Sequence, residues 1–329
     1  LLIDDLPFAD SLTLMLSPES LRPPQVFRLV CRPALPKDTP NVMELTSKIW
    51  EGHDYIPSVW ADWLHDPEGL MAVAEFGGRV VGLSKLTRLS PSEWWLEGLR
   101  VHPEYEGRGI ASHVHAYLME YWQHQGGGAI RLATASYRKA VHHLSLRSGL
   151  HKAAELTHYA AEAIPGQSGR FALVKAGEET EAADFALRQS LPTCPNRLMS
   201  IGWQWVALSA GWIATAVRRG QAWWWLGDQE ERRGVLLAQL DDEEETADKL
   251  RIQLLACSLE NLVACLEDYR RLAGSLGYQQ VGWMAPLDPT LEVALLEAGF
   301  KRDWEDSLFI FEKEIILSST GDAALGQAA

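Results

Sequence analysis

The sequence predicts an α/β protein made of two domains in tandem. Three observations carry that expectation. The chain has 329 residues, and ordinary domains run to roughly 150 residues each. Strand-like and helix-like segments alternate in its first half, as a layered α/β domain requires. Landmarks of the first half then return in the second at one offset: Ala135 and Ala285, like Gly149 and Gly299, stand 150 positions apart. A period that long implies duplication of a whole domain rather than a solenoid repeat.

Residues 1–25, with Leu6-Pro7 and Pro23-Pro24, show no sustained period and read as an N-terminal extension. Val26 to Cys31 is a strand closed by Arg32-Pro33, and Asn41 to Trp50 a helix with Val42, Leu45 and Ile49 at helical spacing. Leu70 to Phe76 and Arg79 to Leu86 flank Gly77-Gly78, a hairpin signature. Trp94 to Val101 is a strand. The helix beginning at Ile110 puts Ile110, Val114, Tyr117, Leu118 and Tyr121 on one face and stops at Gly126-Gly127-Gly128. Ala129 to Ala135, Arg138 to Arg147 and His158 to Ala163 complete the first unit, 26–164, as strand, helix and strand.

Residues 165–170 are a linker by composition. The second unit, 171–316, repeats the pattern. Its segments are Phe171 to Val174, a hairpin of Ala222 to Leu226 with Gly234 to Leu240, a strand at Leu250 to Ala256, a helix at Leu259 to Leu272, a strand at Gln279 to Ala285 and a helix at Thr290 to Ala298. Residues 317–329 are a tail.

Composition excludes several classes of function. Hydrophobic residues make up 47% of the chain and charged residues 22%, enough for full cores, and the 14 Trp are expected to be buried or to line a groove. A net charge of −14 repels phosphate backbones and anionic lipid, so neither nucleic acid nor membrane is the expected partner. No apolar run approaches the roughly 18 residues of a membrane span, and no signal-peptide pattern precedes the first strand. Four Cys without metal-type spacing predict reduced thiols of a cytoplasmic protein. His113 and His115, two apart on a helix and about 200° round, cannot share a metal, and none is expected. Asp241 to Glu245 reads as a solvated hairpin tip.

Chemistry concentrates in Leu96 to Ala111. A strand runs into Glu104-Tyr105-Glu106-Gly107-Arg108-Gly109, and that turn opens a helix. Main-chain N–H groups at a helix N-terminus cradle anions, and glycine lets the anion approach. The Gly-Lys-Ser/Thr ending of a phosphate loop is absent, and Ser112 stands where a dinucleotide fingerprint needs its third glycine. On spacing alone, a diphosphate cradle and a tight turn without ligand both remain open.

The wider stretch resembles the acetyl-CoA-binding motif of the GNAT superfamily of N-acetyltransferases, Gln/Arg-x-x-Gly-x-Gly/Ala. The match is Glu106 to Ala111 after the strand end Leu99-Arg100-Val101-His102-Pro103, with Arg32-Pro33-Ala34 and Asp38 similar to the family's first strand and turn. The resemblance covers about Phe27 to Ala163. Glu106 replaces the usual Gln or Arg, Arg138 the usual Asn, and Ser145 the usual Tyr of the late helix. It implies two tandem GNAT-like domains, each a mixed, mostly antiparallel sheet flanked by helices, the second degenerate. It further implies acetyl-CoA as cosubstrate, held by Leu99, Arg100 and Val101 along the strand and by Glu106, Gly107, Arg108, Gly109, Ile110, Ala111 and Ser112 at the turn.

Attack of an amine on a thioester needs a base and, ideally, an acid for the leaving thiolate. Glu97 is the candidate base, since a pleated strand would put Glu97, Leu99 and Val101 on one face; pairing with a neighbouring Arg is the competing role. Gly52 to Pro57 resembles the Gly-x-Asp-Tyr-Leu-Pro segment of the histidine N-acetyltransferase-like subgroup, which also carries Glu-Gly-Leu-Arg-Val. That makes Asp54 and Tyr55 acceptor-site candidates, against a purely structural role as a buried loop.

The expected activity is acetyl transfer to a primary amine of a small molecule or peptide, with a free amino acid as one acceptor class and a homodimer left open. A non-catalytic acetyl-CoA-binding sensor or scaffold is the alternative, suggested by Ser145. Tyr137 and Tyr159 are candidates to replace the missing tyrosine acid but are expected rather to pack, and His142-His143 to lie on a helix surface. The second domain, with only Cys257 and Ser258 between strand and helix, is expected to lack the cradle, Ser258 serving as an N-cap.

Overall fold

The computed structural model describes residues 28–167, 169–189, 193–240 and 248–315. The N-terminal extension, the C-terminal tail, Ser168 of the linker and the acidic run at Asp241 lie outside the described residues.

The first half runs β1 (Val30–Pro33), α1 (Thr39–Thr46), α2 (Ile56–His65), β2 (Leu70–Phe76), β3 (Arg79–Ser90), β4 (Glu93–Val101), α3 (Ile110–His124), β5 (Gly128–Ala135), α4 (Lys139–Arg147) and β6 (His151–Glu162). The second runs β7 (Phe171–Leu173), α5 (Glu179–Arg188), β8 (Leu198–Ile201), β9 (Gln204–Ala207), α6 (Ala210–Arg218), β10 (Ala222–Leu226), β11 (Arg232–Leu240) and β12 (Lys249–Cys257). It ends with α7 (Leu262–Ser275), β13 (Gln280–Pro286), α8 (Pro289–Glu297), β14 (Lys301–Arg302) and β15 (Leu308–Ile315). No helix among the described residues is long and apolar enough to cross a membrane.

Differences from the sequence reading have local causes. The helix expected to reach Trp50 ends at Thr46, because Trp50 and Glu51 take left-handed φ of 47° and 57°. α2 follows after a short 3-10 turn over Trp50–Gly52, with proline in its first turn, where a missing N–H costs nothing. β6 begins seven residues earlier than expected, at His151. α5, the β8–β9 hairpin, α6 and β15 were not anticipated.

The main sheet is mixed and mostly antiparallel, in the order β1-β2-β3-β4-β5-β15-β6-β13-β12-β11-β10-β7. β4–β5 and β12–β13 are its parallel pairs. At the centre the halves interlock. β15, the last strand of the chain, pairs with β5 from Leu308↔Ala135 to Ile315↔Gly128 and on its other edge with β6. β6 pairs in turn with β13, from Gln280↔Glu162 to Pro286↔Leu156. Each half's late strand therefore lies against the other half's sheet. The offset of 150 also relates β5 to β13 and α4 to α8.

Apolar side chains cover both faces of each half. Trp94, Leu96, Ile110, Leu118 and Trp122 pack under α3, and Val42, Leu45, Ile56, Trp60 and Leu83 under α1 and α2. A further cluster joins the halves: Trp95, Leu156 and Ile310 meet Leu198 and Trp205, with the Trp95 and Trp205 rings 6.0 Å apart. A buried ionic network reinforces it. Arg131 of β5 pairs with Glu93 of β4 at 2.8 Å and with Glu312 of β15. Glu93 also accepts hydrogen bonds from the Ala207 main-chain N–H (2.7 Å) and Trp212 Nε1 (3.3 Å), so one carboxylate fastens the β8–β9 hairpin and α6 to the first half.

Candidate active site

β4 and β5 pair over Glu93–Trp95 and Ala129–Arg131 and then diverge, leaving β4 beyond Trp95 without a strand partner on that edge among the described residues. The gap opens into a cavity of about 1170 Å3, formed by Trp95 to Arg100 of β4, Leu132 to Ala135 of β5, the Val141–Ser145 face of α4, and Trp50, Tyr55 and Trp63 from around α2. Ile201, Trp203, Gln204 and Trp304 of the second half close its remaining side.

The β4 side chains do not simply alternate here. Gly98 sits at φ +66°, and a Cβ there would fall 2.6 Å from the Trp63 ring. The ladder slips at this point: Lys85 pairs with Glu97, but Leu83, two residues earlier, pairs with Arg100. Lys85 and Leu83 share a face of β3, so Glu97 and Arg100 share a face of β4. Leu99 and Val101 point to the other side, where Val101 packs under α3. The expectation that Glu97 shares a face with Leu99 and Val101 is thus corrected; the bulge at Gly98 separates them.

Glu97 is half-buried on the cavity wall. Thr87 Oγ1 donates to its Oε1 at 2.5 Å and Gln204 Nε2 at 3.4 Å. Burial pushes its carboxyl above the ordinary glutamate range, against the pull of Thr87 and of nearby Lys85. No arginine pairs with Glu97 among the described residues. Lys85 is engaged by Asp66 and the Leu86 carbonyl, and Arg100 by Asp54.

Asp54 and Arg100 form a buried bidentate pair, Arg100 Nε to Oδ2 at 2.9 Å and Nη2 to Oδ1 at 3.0 Å. Asp54 therefore stands behind Arg100, away from the cavity wall, while Tyr55 lines the wall itself. The Arg100 guanidinium lies 4.3 Å over the Trp50 ring, and Arg138, at the head of α4, lies 5.2 Å from the same ring. Among the described residues Arg138 has no carboxylate or carbonyl partner. It is an uncompensated cation on the cavity wall, and the sequence flagged it only as a departure at the usual Asn.

Gly107 and Gly109 take φ of +72° and +77° in the turn before α3. A Cβ at Gly107 would meet nothing within 4 Å, and one at Gly109 only the His113 ring at 3.8 Å, so the space before the turn is open. The first N–H groups of α3, from Ile110 to Ser112, have no acceptor within the helix. Glu106 and Arg108 are exposed, Arg108 lying 5.0 Å over Tyr105. An open cradle of main-chain donors that runs onto an unpaired strand edge fits a diphosphate with an extended pantetheine arm.

Ser145 is fully buried on the cavity wall, and its hydroxyl donates to the Val141 carbonyl at 2.9 Å. His115, on the same wall, has a buried Nε2 without a partner, and burial drops its pKa to about 4. Tyr159 is buried, as expected. Tyr137, however, is 61% exposed on the cavity wall instead of packed, because the β5–α4 turn carries it out of the core. Of the expected surface pair, His143 is exposed, whereas His142 is half-buried with its ring stacked on Phe309 at 4.9 Å.

In the second half, β12 ends at Cys257 and α7 begins at Leu262, joined by a short 3-10 turn over Leu259–Asn261 without glycine. Ser258 precedes that turn, but its side chain caps no main-chain N–H. It accepts from Asn261 Nδ2 at 2.8 Å instead, which corrects the expected N-cap. β12 and β13 pair only from Lys249↔Gln280 to Ile252↔Trp283, and Leu255, Cys257, Leu262 and Leu291 are buried together in the core of this half.

Comparison with known proteins agrees with this architecture. Residues 39–149 match the Acetyltransferase (GNAT) family. The chain is similar to Histidine N-acetyltransferase of Oreochromis niloticus, 33% identical over 79 residues (24% of this chain, 23% of that protein). It is likewise similar to that of Xenopus tropicalis, 29% identical over 93 residues (28% and 29%). The match spans under a third of these relatives' length. At the level of fold, the GCN5-related N-acetyltransferase from Sphaerobacter thermophilus superposes with a TM-score of 0.58 at 15% identity, covering 87% of this chain and 95% of that one. A tandem GNAT protein from the clavulanic acid biosynthesis pathway superposes with a TM-score of 0.53 at 15% identity, covering 88% and 100%. Residues 39–149, which include the divergence of β4 and β5, thus match the GNAT acetyltransferase family, and the fold running through both halves is similar to that of tandem GNAT proteins.

Proposed function

We propose that the protein transfers an acetyl group from acetyl-CoA to the primary amine of a small molecule that also carries a carboxylate, a free amino acid being the simplest case. Acetyl-CoA supplies the activated acetyl thioester. The main-chain N–H groups from Arg108 to Ser112 hold its diphosphate, and the exposed edge of β4 at Leu99 to Val101 aligns its arm. Glu97 takes a proton from the acceptor's ammonium, a task for which a carboxyl raised by burial is suited; the neutral amine attacks the thioester carbonyl, the new C–N bond replaces the C–S bond, and CoA leaves as the thiolate. Tyr55 and Trp50 wall the acceptor end, and Asp54 fixes Arg100 there.

Arg138 is the observation that carries the carboxylate. A guanidinium on a cavity wall, without an anionic partner and stacked on Trp50, is a preformed receptor for a planar anion. The test is a thiol-release screen with acetyl-CoA and matched pairs: L-amino acids against their decarboxylated amines, with polyamines and aminoglycosides alongside. Release of CoA with amino acids and little or none with the decarboxylated partners supports the reading. Preference for the decarboxylated amines overturns the carboxylate. Binding of acetyl-CoA without release for any amine favours the sensor reading, to which Ser145, with its hydroxyl held by the helix, already lends support.

A further inference from the structure

The second half reaches into the candidate site as well as packing beside it. Its β8–β9 hairpin is anchored by Glu93, through the Ala207 N–H and Trp212, and by the contact of Trp205 with Trp95. Glu93 and Glu97 lie four positions apart on β4. The anchoring therefore fixes the hairpin tip over the next turn of the strand's cavity face, and Gln204, at the start of β9, reaches Glu97 Oε1.

We propose that Gln204 is a positioning residue contributed across the two halves, which holds the Glu97 carboxylate toward the acceptor end of the cavity and favours its charged form. The inference rests on the reading of Glu97 as base. The groups around Glu97 explain why the amide matters. From β3, Thr87 donates to Oε1, and Lys85 is already engaged by Asp66. From β4, Arg100 is engaged by Asp54, and Tyr55 lies beyond it beside Arg100. Lys85 and Arg100 are each matched by another carboxylate, so beside the remaining pull of Lys85 the charge is stabilised by the neutral donors Thr87 and Gln204, of which Gln204 is the one supplied by the second half. A donor at 3.4 Å in a half-buried site favours the carboxylate modestly; an apolar replacement leaves burial less opposed.

The experiment titrates the full chain directly. With 13C-carboxyl-labelled glutamate, the Glu97 resonance is assigned by its loss in Glu97→Gln and followed from pH 4 to 9 without acceptor or acetyl-CoA. The midpoint is expected to rise in Gln204→Leu by roughly half a unit, about threefold in proton affinity, and further in Gln204→Glu, where a second carboxylate faces the first. A substitution that only loosened packing would lower thermal stability without ordering the midpoints in this way. Acetyl-CoA affinity, measured by calorimetry, serves as the control for folding and is expected to be unchanged. Midpoints equal to wild type in both folded variants overturn the role of Gln204. If instead the midpoints shift but Glu97→Gln transfers acetyl groups at the wild-type rate, the coupling stands and the reading of Glu97 as base fails.

Discussion

Glu97 and Arg100, three positions apart on β4, project to the same face, because the ladder slips between Lys85↔Glu97 and Leu83↔Arg100 around Gly98. The bulge brings a half-buried carboxylate and a Trp50-stacked guanidinium into one cavity wall. It depends on a φ of +66° and on the Trp63 ring lying where a Cβ would be. Gly98→Val is therefore expected to cost about 2–4 kcal/mol in chemical denaturation, from left-handed strain together with overpacking. It is also expected to abolish transfer. A variant of wild-type stability would show that the bulge is not required.

Activity and stability should part company at Glu97. Burial raises its pKa, so the folded protein holds this proton at pH values where the unfolded chain has released it. The associated stability is present below the unfolded value of about 4.3 and is lost as pH rises through the folded pKa. At pH 8 the charged group burdens the fold, and Glu97→Gln is expected to melt no lower than wild type. Turnover is expected to fall about 10²- to 10⁴-fold, as for loss of a general base. Wild-type turnover across pH 6 to 9 would remove Glu97 from the mechanism.

Arg138→Ala is expected to raise KM for an amino-acid acceptor by about tenfold or more, the scale of one charge-assisted hydrogen bond, and to leave KM for acetyl-CoA unchanged. A shift in the acetyl-CoA KM alone would move Arg138 from the acceptor to the cosubstrate.

The interlocked centre sets the behaviour of fragments. A chain ending at residue 165 lacks β15, which fills the space between β5 and β6, so both strands would expose open edges. It also loses the Glu312 partner of Arg131 and the hairpin bound to Glu93. Such a fragment is expected to be insoluble or inactive when expressed alone. A soluble fragment with full activity would show that the second half is dispensable.

Much of this was legible in the residues. Gly77-Gly78 marked the β2–β3 hairpin, Gly126 to Gly128 the end of α3, and the offset of 150 the equivalence of β5 and β13 in the two halves. The Gly107–Gly109 turn marked the start of α3. What escaped was non-local. Nothing around Leu308 to Ile315 announces a strand destined for the other half's sheet, since its partners at Ala135 and Leu156 lie more than 150 residues away. The slip at Gly98 required knowing which β3 residue faces which β4 residue, and simple alternation misassigned Glu97. Gln204 carries no local signal, a glutamine after a tight turn that becomes a site residue only when the halves close around one cavity, and Arg138 stood out only as a departure at the usual Asn.

The most direct test of the account is calorimetric titration of acetyl-CoA into the full chain. The turn at Gly107 and Gly109 is open, whereas the second half joins β12 to α7 by a short 3-10 turn over Leu259–Asn261 that contains no glycine. About one equivalent is expected to bind per chain, and Gly109→Val, which strains the turn by about 1–2 kcal/mol and narrows the cradle, is expected to eliminate that binding while the protein stays folded. Two equivalents per chain, or unchanged affinity in folded Gly109→Val, would contradict it.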